Sequence, residues 1–151
     1  MPKVQTHLWF ESQAEEAVAF YTSIFKDSKT LRSVDLPDPE LSRIEFELAG
    51  QSIVALNAHA HGPYNEGISL LVETEDQEET DYYWAALTAD GGKEQPCGWL
   101  TDKFGIYWQV TPTILLRMLA DPDREKAGRA IQAMFKMKKI VIADLERAYR
   151  G

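Results

Sequence analysis

The chain has one cysteine, Cys97, in 151 residues, so no internal disulfide can form and burial must hold the core. No apolar run is long enough to cross a bilayer, and Met1-Pro2-Lys3 does not lead into the hydrophobic segment of a signal peptide. We therefore expect a cytoplasmic protein without membrane attachment. Glycine is sparse where nucleotide chemistry would want it. The only glycine pair, Gly91-Gly92, follows a helical pattern, and Gly50, Gly62 and Gly67 stand alone. That argues against the strand-following, glycine-rich loop of an adenosyl-type methyl donor. Basic residues are few through most of the chain: residues 1–111 carry 7 Lys and Arg against 19 Asp and Glu, and the whole chain is net −8. Nucleic acid and anionic membranes are poor bulk partners for such a surface. Residues 112–151 reverse the balance, with 9 basic against 5 acidic, and this basic tail can dock on the acidic body.

What is present is alternation. Residues 97–112 read as a hairpin in which Asp102 to Gly105 supply turn chemistry and Ile106 to Val110 form a β-branched and aromatic strand stopped by Pro112. Side chains alternate across a strand, so Ile106, Trp108 and Val110 share an apolar face while Tyr107 and Gln109 share the other. Val4 to Phe10 repeats the pattern, with Leu8 and Phe10 on one face and His7 and Trp9 on the other.

Between these ends the element order occurs twice. Ser12-Gln13-Ala14-Glu15 has the form of a capping box, with Ala17, Val18, Tyr21, Ile24 and Phe25 following at helical spacing. Strands are expected over Lys29 to Leu36, Leu41 to Leu48 and Ser52 to Asn57, giving β-α-β-β-β. The order restarts with a strand from Gly67 to Glu73, a second capping box at Asp76 to Glu79, and a helix carrying Thr80, Tyr83, Trp84 and Leu87. Residues 7–12 align with 69–74 at an offset of 62, and Glu15-Glu16 and Phe20-Tyr21 align with Glu78-Glu79 and Tyr83-Trp84 at 63. We read this as an internal duplication. The fold class is α+β: two βαβββ modules with curved mixed sheets, followed by a helical extension. The expected boundaries within a single domain 1–151 are about 1–61, 62–111 and 112–151.

In the extension, Thr111 is placed to cap a helix with Pro112 at its first position, Asp121-Pro122 restarts the pattern, and the chain breaks at residues 138–142 before a last turn or two around Leu145 and Tyr149. The apolar supply of Ile114, Leu115, Met118, Leu119, Ile131, Met134 and Phe135 exceeds what two short helices hide, which predicts a homodimer.

These features bring a resemblance. Leu8-Trp9-Phe10-Glu11 with Ala14-Glu15-Glu16-Ala17 and Phe20-Tyr21 is one part of it, and Ala55-Leu56-Asn57 before Asn65-Glu66 a second. Cys97-Gly98-Trp99 through Trp108-Gln109 is a third, and Asp121-Pro122-Asp123 through Gln132-Ala133-Met134 to Met137-Lys138-Lys139 completes it. Together they resemble the PhnB-like proteins of the vicinal oxygen chelate (glyoxalase and bleomycin-resistance) superfamily, also labelled 3-demethylubiquinone methyltransferase-like. The resemblance implies paired modules whose sheets curl into half-open barrels, and commonly a homodimer. It departs at Val141, where such tails often carry an Asp that caps the last helix.

The resemblance also implies metal-ligand positions on the first and last strand of each module, here the strands of His7, of Ala55 to Asn57, of Ser69 and of Gln109. Of these only His7 is a good ligand: serine and alanine supply none, and the neutral amide of Gln109 is a poor substitute for a carboxylate. We expect no metal and no cofactor. His59 and His61 have the spacing of a two-histidine arm, but Gly62-Pro63 follows and a solvated loop is the simpler reading. Cys97 has no cation nearby in sequence to stabilise a thiolate and reads as a packed thiol.

Two functional classes remain. The first is a small-molecule-binding protein whose ligand-binding residues are His7, Trp9, Asn57, Ser69, Tyr107 and Gln109: aromatic walls with a few directed polar groups. The second is an enzyme that uses His7 as a general base, or His7 with Gln109 around a metal, on a carbon next to a carbonyl. A purely structural role for the same residues stands beside both. The methyltransferase label has no support in the residues, and the expected partner is an unidentified small molecule.

Overall fold

In a computed structural model, residues 1–58 and 62–151 are described, and His59 and His61 lie outside the described residues. The chain forms two compact units, Met1–Pro63 and Tyr64–Gly151.

The first unit runs β1 (Thr6–Phe10), α1 (Ala14–Ile24), β2 (Lys29–Asp35), β3 (Ser42–Leu48) and β4 (Gln51–Asn57). Its sheet has the order β1-β4-β3-β2, with β1 parallel to β4 and the other pairs antiparallel. Helix α1 is the crossover that a parallel pair requires. It buries Ala14, Ala17, Val18, Tyr21 and Ile24 against the sheet face of Leu8, Phe10, Ile44, Phe46 and Ile53. Tyr21 and Phe46 stack with ring centroids 6.4 Å apart. Only one sheet face is covered this way, so β3 buries every second residue, from Ser42 to Leu48.

The start of α1 differs from the sequence expectation. Ser12 does not cap it; the helix begins after Gln13, which makes no side-chain cap. The cap comes from β4, where Asn57 Oδ1 accepts the Ala14 N–H at 2.8 Å. The Asn57 amide donates to Glu15 Oε2 at 2.9 Å and Ser42 Oγ at 3.0 Å, while the Ser42 hydroxyl donates to Glu15 Oε1 at 2.8 Å. Burial works against the Glu15 charge, but the hydrogen bonds from Ser42, its own backbone and Asn57 outweigh it and hold the carboxyl below its ordinary value.

The second unit repeats the order: β5 (Leu70–Thr74), α2 (Gln77–Thr88), β6 (Lys93–Glu94), β7 (Trp99–Thr101) and β8 (Tyr107–Pro112). A single 3₁₀ turn, Ala89–Gly91, separates α2 from β6, and a second, Pro96–Gly98, separates β6 from β7. The sheet order β5-β8-β7-β6, with β5 parallel to β8, matches that of the first unit strand for strand. Here the expected cap forms, with the returning carboxylate reaching the residue before the cap rather than the cap itself. Asp76 accepts the Glu79 N–H at 2.8 Å, and the Glu79 carboxylate accepts the Glu75 N–H at 2.7 Å.

The 102–105 turn is more than turn chemistry. Asp102 is 2% exposed. Its carboxylate accepts the N–H groups of Phe104 at 2.9 Å and Ile106 at 3.1 Å, and the indole N–H of Trp108 at 2.9 Å. Tyr64 packs near Gly105, its phenol pushed up to about 12 by burial and then by the Asp102 charge.

The tail forms α3 (Thr113–Leu119), α4 (Arg124–Met134) and α5 (Ile142–Arg150). Pro112 ends β8 rather than opening the helix, and Thr111 lies in the strand. Asp123 caps α4 through the N–H groups of Glu125 and Lys126. The last helix is nine residues, longer than the pattern suggested. With Val141 unable to cap it, Gln77 of α2 does so: its Oε1 accepts the Ile142 N–H at 2.8 Å and its amide donates to Ile140 O at 3.1 Å. The Cys97 and Gly98 N–H groups donate to Met137 O and Lys138 O, both at 2.8 Å, and Lys139 pairs with Asp81 at 2.7 Å. Gly98 has φ +79, and a Cβ there would lie 2.9 Å from Val110 O and 3.1 Å from Ile140 Cγ1, so only glycine fits.

The tail hides most of its own apolar surface. Leu115, Met118, Ala130, Ile140 and Leu145 form a core, with Ile114, Leu119, Met134 and Met137 packed around it. Phe135 remains 58% exposed, so the surplus expected to drive dimerisation shrinks to little more than that side chain.

Trp108→Ala should cost about 3 to 5 kcal/mol as a large core truncation. Trp108→Phe should cost about 1 to 3 kcal/mol by removing the indole hydrogen bond to the buried Asp102 carboxylate; urea midpoints measure both. Because the folded Glu15 value is depressed, its contribution is present above the ordinary carboxylate value of 4.5 and lost as pH falls through the folded one. Urea midpoints taken from pH 7 to pH 3 should fall less steeply for Glu15→Gln than for the parent chain.

Candidate functional site

Each helix covers one side of its sheet, and the other side carries the residues that the alternation singles out. In the first unit Leu8 and Phe10 are buried under α1 while His7 and Trp9 are exposed, Trp9 to 45%. The strand register extends these positions into rows. His7 lies beside Val54, then Glu45, then Arg32; Trp9 lies beside Leu56, then Arg43, then Val34. Arg43 and Glu45 are ion-paired within this face. The hydrogen bond from Arg43, followed by the positive charges of Arg43, Arg32 and Lys3, holds the Glu45 carboxyl below its ordinary value.

In the second unit Trp108 is 3% exposed and Val110 fully buried, with Leu100 beside them, whereas Tyr107 and Gln109 are half-buried on the open side. Gln109 sits between Leu71 of β5 and Trp99 of β7, and Tyr107 sits beside Thr101. Leu71 is 44% exposed. Ser69, just before β5, accepts a hydrogen bond from the Gln109 amide at 3.0 Å. The structure thus brings Ser69, Gln109 and Tyr107 onto one face, and His7 and Trp9 onto another.

Asn57 belongs to neither group. It pairs in register with Phe10 and Ser42 on the helix side of the first sheet, and its amide is spent on Ala14, Glu15 and Ser42. Sequence alternation places Asn57 correctly on the parity of Ala55, but Ala55 and Leu56 are both apolar and do not mark which parity faces α1. With Glu11, Glu15, Asp35, Glu40 and Ser42, Asn57 lines a cleft of about 830 Å³ at the start of that helix.

A divalent metal of the kind the superfamily resemblance suggests does not fit these residues. The first face offers one imidazole and, two strands away in the same row, a Glu45 carboxylate already ion-paired with Arg43. The second offers an alcohol and an amide already bonded to each other, with no carboxylate at either position. Among the described residues, no three His, Cys, Asp or Glu side chains converge to hold an ion. Cys97, half-buried at φ +65 in the turn before β7, is held through its backbone by Met137.

Comparison with known proteins gives the same architecture. A family model described as 3-demethylubiquinone-9 3-methyltransferase matches residues 2–111. Among solved structures, the PhnB protein from Bacillus cereus superposes with a TM-score of 0.66 at 29% identity, covering 74% of this chain and 99% of that one. The PA1353 protein of Pseudomonas aeruginosa does so at 0.59 and 21%, covering 74% and 98%. The fosfomycin resistance protein FosX from Listeria monocytogenes, in complex with Mn(II) and sulfate, reaches 0.56 at 15% identity, covering 72% and 89%; at that identity the likeness shows the fold alone. Among curated proteins, an aspartyl/glutamyl-tRNA(Asn/Gln) amidotransferase component of Crocosphaera subtropica is 24% identical over 87% of this chain, which spans 27% of that protein's length. With the family match running from the start of β1 through β8 and two sheets of identical strand order behind it, the chain belongs to the PhnB-like 3-demethylubiquinone-9 3-methyltransferase family, within the vicinal oxygen chelate superfamily.

Proposed function

We propose that this protein binds a small organic molecule, with the open face of the first sheet as a main wall. The observation that carries the reading is Trp9. It leaves 45% of its surface uncovered on the face of its strand turned away from α1, beside the half-buried Leu56 with Arg43 next in the row. An amphipathic aromatic set among directed polar groups is the composition of a ligand pocket rather than of a solvated surface. The second sheet has a comparable set of its own in Leu71, Tyr107, Gln109 and Ser69.

An enzymatic reading with His7 as general base draws less support. Glu45 shares its row, but Val54 stands between them, so the two lie about two strand spacings, roughly 10 Å, apart. A carboxylate at that separation does not orient the imidazole as a base is normally oriented. The methyltransferase name describes the family; among the described residues the one glycine pair, Gly91-Gly92, follows α2 rather than a parallel strand, where an adenosyl methyl donor calls for a glycine-rich loop. Cytoplasmic residence and a homodimer belong to the same reading. Among the described residues no helix is long and apolar enough to cross a membrane, and the exposed Phe135 is the side chain on which the dimer rests.

A fragment screen followed by the tryptophan indole N–H resonances of ¹⁵N-labelled protein tests the proposal. Hits should move the Trp9 signal, assigned by its loss in Trp9→Phe. Trp9→Ala should weaken them about tenfold or more, in keeping with a central aromatic anchor, and should leave the thermal midpoint within a few degrees. Gln109→Leu should weaken hits that bind the second sheet, also without unfolding the protein. Unfolding by Trp9→Ala, or a library that moves no indole signal except those of buried tryptophans, would sink the reading.

A further inference from the structure

The charges of the first unit are sorted between its two sides. Residues 1–63 hold five Lys and Arg against nine Asp and Glu, yet four of those five cations gather at the open face. Arg43 and Arg32 lie in the rows of Trp9 and His7, Lys29 pairs in register with Glu47, and Lys3 acts on Glu45. Only Glu45 and Glu47 oppose them there. The other carboxylates lie at the start of α1, just after it, or around the β2–β3 connection: Glu11, Glu15, Glu16, Asp27, Asp35, Asp38 and Glu40. On a chain of net −8, a locally positive face beside an exposed tryptophan is the exception that needs a reason.

Pairing within the face does not exhaust it. Glu45 engages Arg43 through a single guanidinium nitrogen, Nη1. A guanidinium has five N–H donors in a planar fork, and the Arg43 side chain keeps 29% of its surface accessible. Arg43 stands across Leu56 from Trp9, which at about 4.8 Å per strand spacing is roughly 10 Å. That is room for an apolar body of about one ring between the indole and the guanidinium.

We propose that the ligand of this face is a small organic anion, a carboxylate, phosphonate or phosphate on a compact apolar body, with Arg43 and Arg32 seating the anion and Trp9 and Leu56 covering the body. The inference rests on the binding reading above and narrows it to a charge class. Charge-assisted hydrogen bonds to a planar guanidinium favour such oxyanions over neutral isosteres of equal size.

Four probes separate the possibilities: benzoate, phenylphosphonate, benzamide and benzylammonium, each titrated while the Trp9 indole resonance is followed at low ionic strength. Benzoate and phenylphosphonate should bind about tenfold or more tightly than benzamide, and benzylammonium more weakly still. Arg43→Gln should bring benzoate to within about threefold of benzamide, and Arg43→Lys should retain part of the preference. Arg32→Gln, on the exposed edge strand where folding is not at risk, should weaken the anions by a smaller factor and also serves if Arg43→Gln proves unstable. Benzamide or benzylammonium binding at Trp9 as well as the anions do would overturn the anion class and leave ligand binding standing. No movement of the Trp9 signal by any probe would overturn both.

Discussion

One constraint governs both units: a parallel strand pair needs a crossover, and the crossover helix can lie on only one side of the sheet. Pairing β1 with β4, and β5 with β8, commits α1 and α2 to one face each. The alternation of each strand then decides the fate of every side chain along it. Leu8 and Phe10 go under α1, and Trp108 and Val110 go inside the second unit. His7, Trp9, Tyr107 and Gln109 are left on the uncovered sides. The surface proposed for binding is what remains when the core has taken its share.

A second theme is that two of the helices are capped by side chains from elsewhere in the fold. The first backbone N–H groups of a helix have no partner within it and must find one. Asn57 meets that need for α1 from the end of β4, and Gln77 meets it for α5 from the first turn of α2. Both amides also accept or donate further bonds, so each fixes the docking of an element as well as its start. Within the second unit the tail is held to the β5–β8 module by polar bonds through Gln77, Cys97 and Gly98, by the Lys139–Asp81 pair, and by the packing of Ile140 against Gly98.

Family membership and local chemistry say different things about function, and both are informative. The family match accounts for the modules and their strand order. The binding proposal rests instead on the residues of the open faces: an exposed tryptophan, a serine and glutamine bonded to each other, and an arginine that meets its glutamate through one guanidinium nitrogen. The scarcity of strong metal donors at these positions separates the chain's own chemistry from what the superfamily name would suggest.

By itself the sequence determined the duplication, the element order and the two faces of β1 and β8, because these depend on short-range periodicity and on a pattern written twice. It also gave the buried stripe of α1, whose spacing is local. What only the tertiary structure decided were the matters of partnership between distant residues. Ser12 had the right chemistry to cap α1, but Asn57, 43 residues from Ala14, took the role. Asp102 looked like turn chemistry and proved to be a buried acceptor for Trp108. The tail looked too greasy for its length until Ile140 and Leu145 were seen to close its core. Periodicity reports which way a side chain faces along its own element; it carries no information about which donor, acceptor or surface another element will bring to meet it.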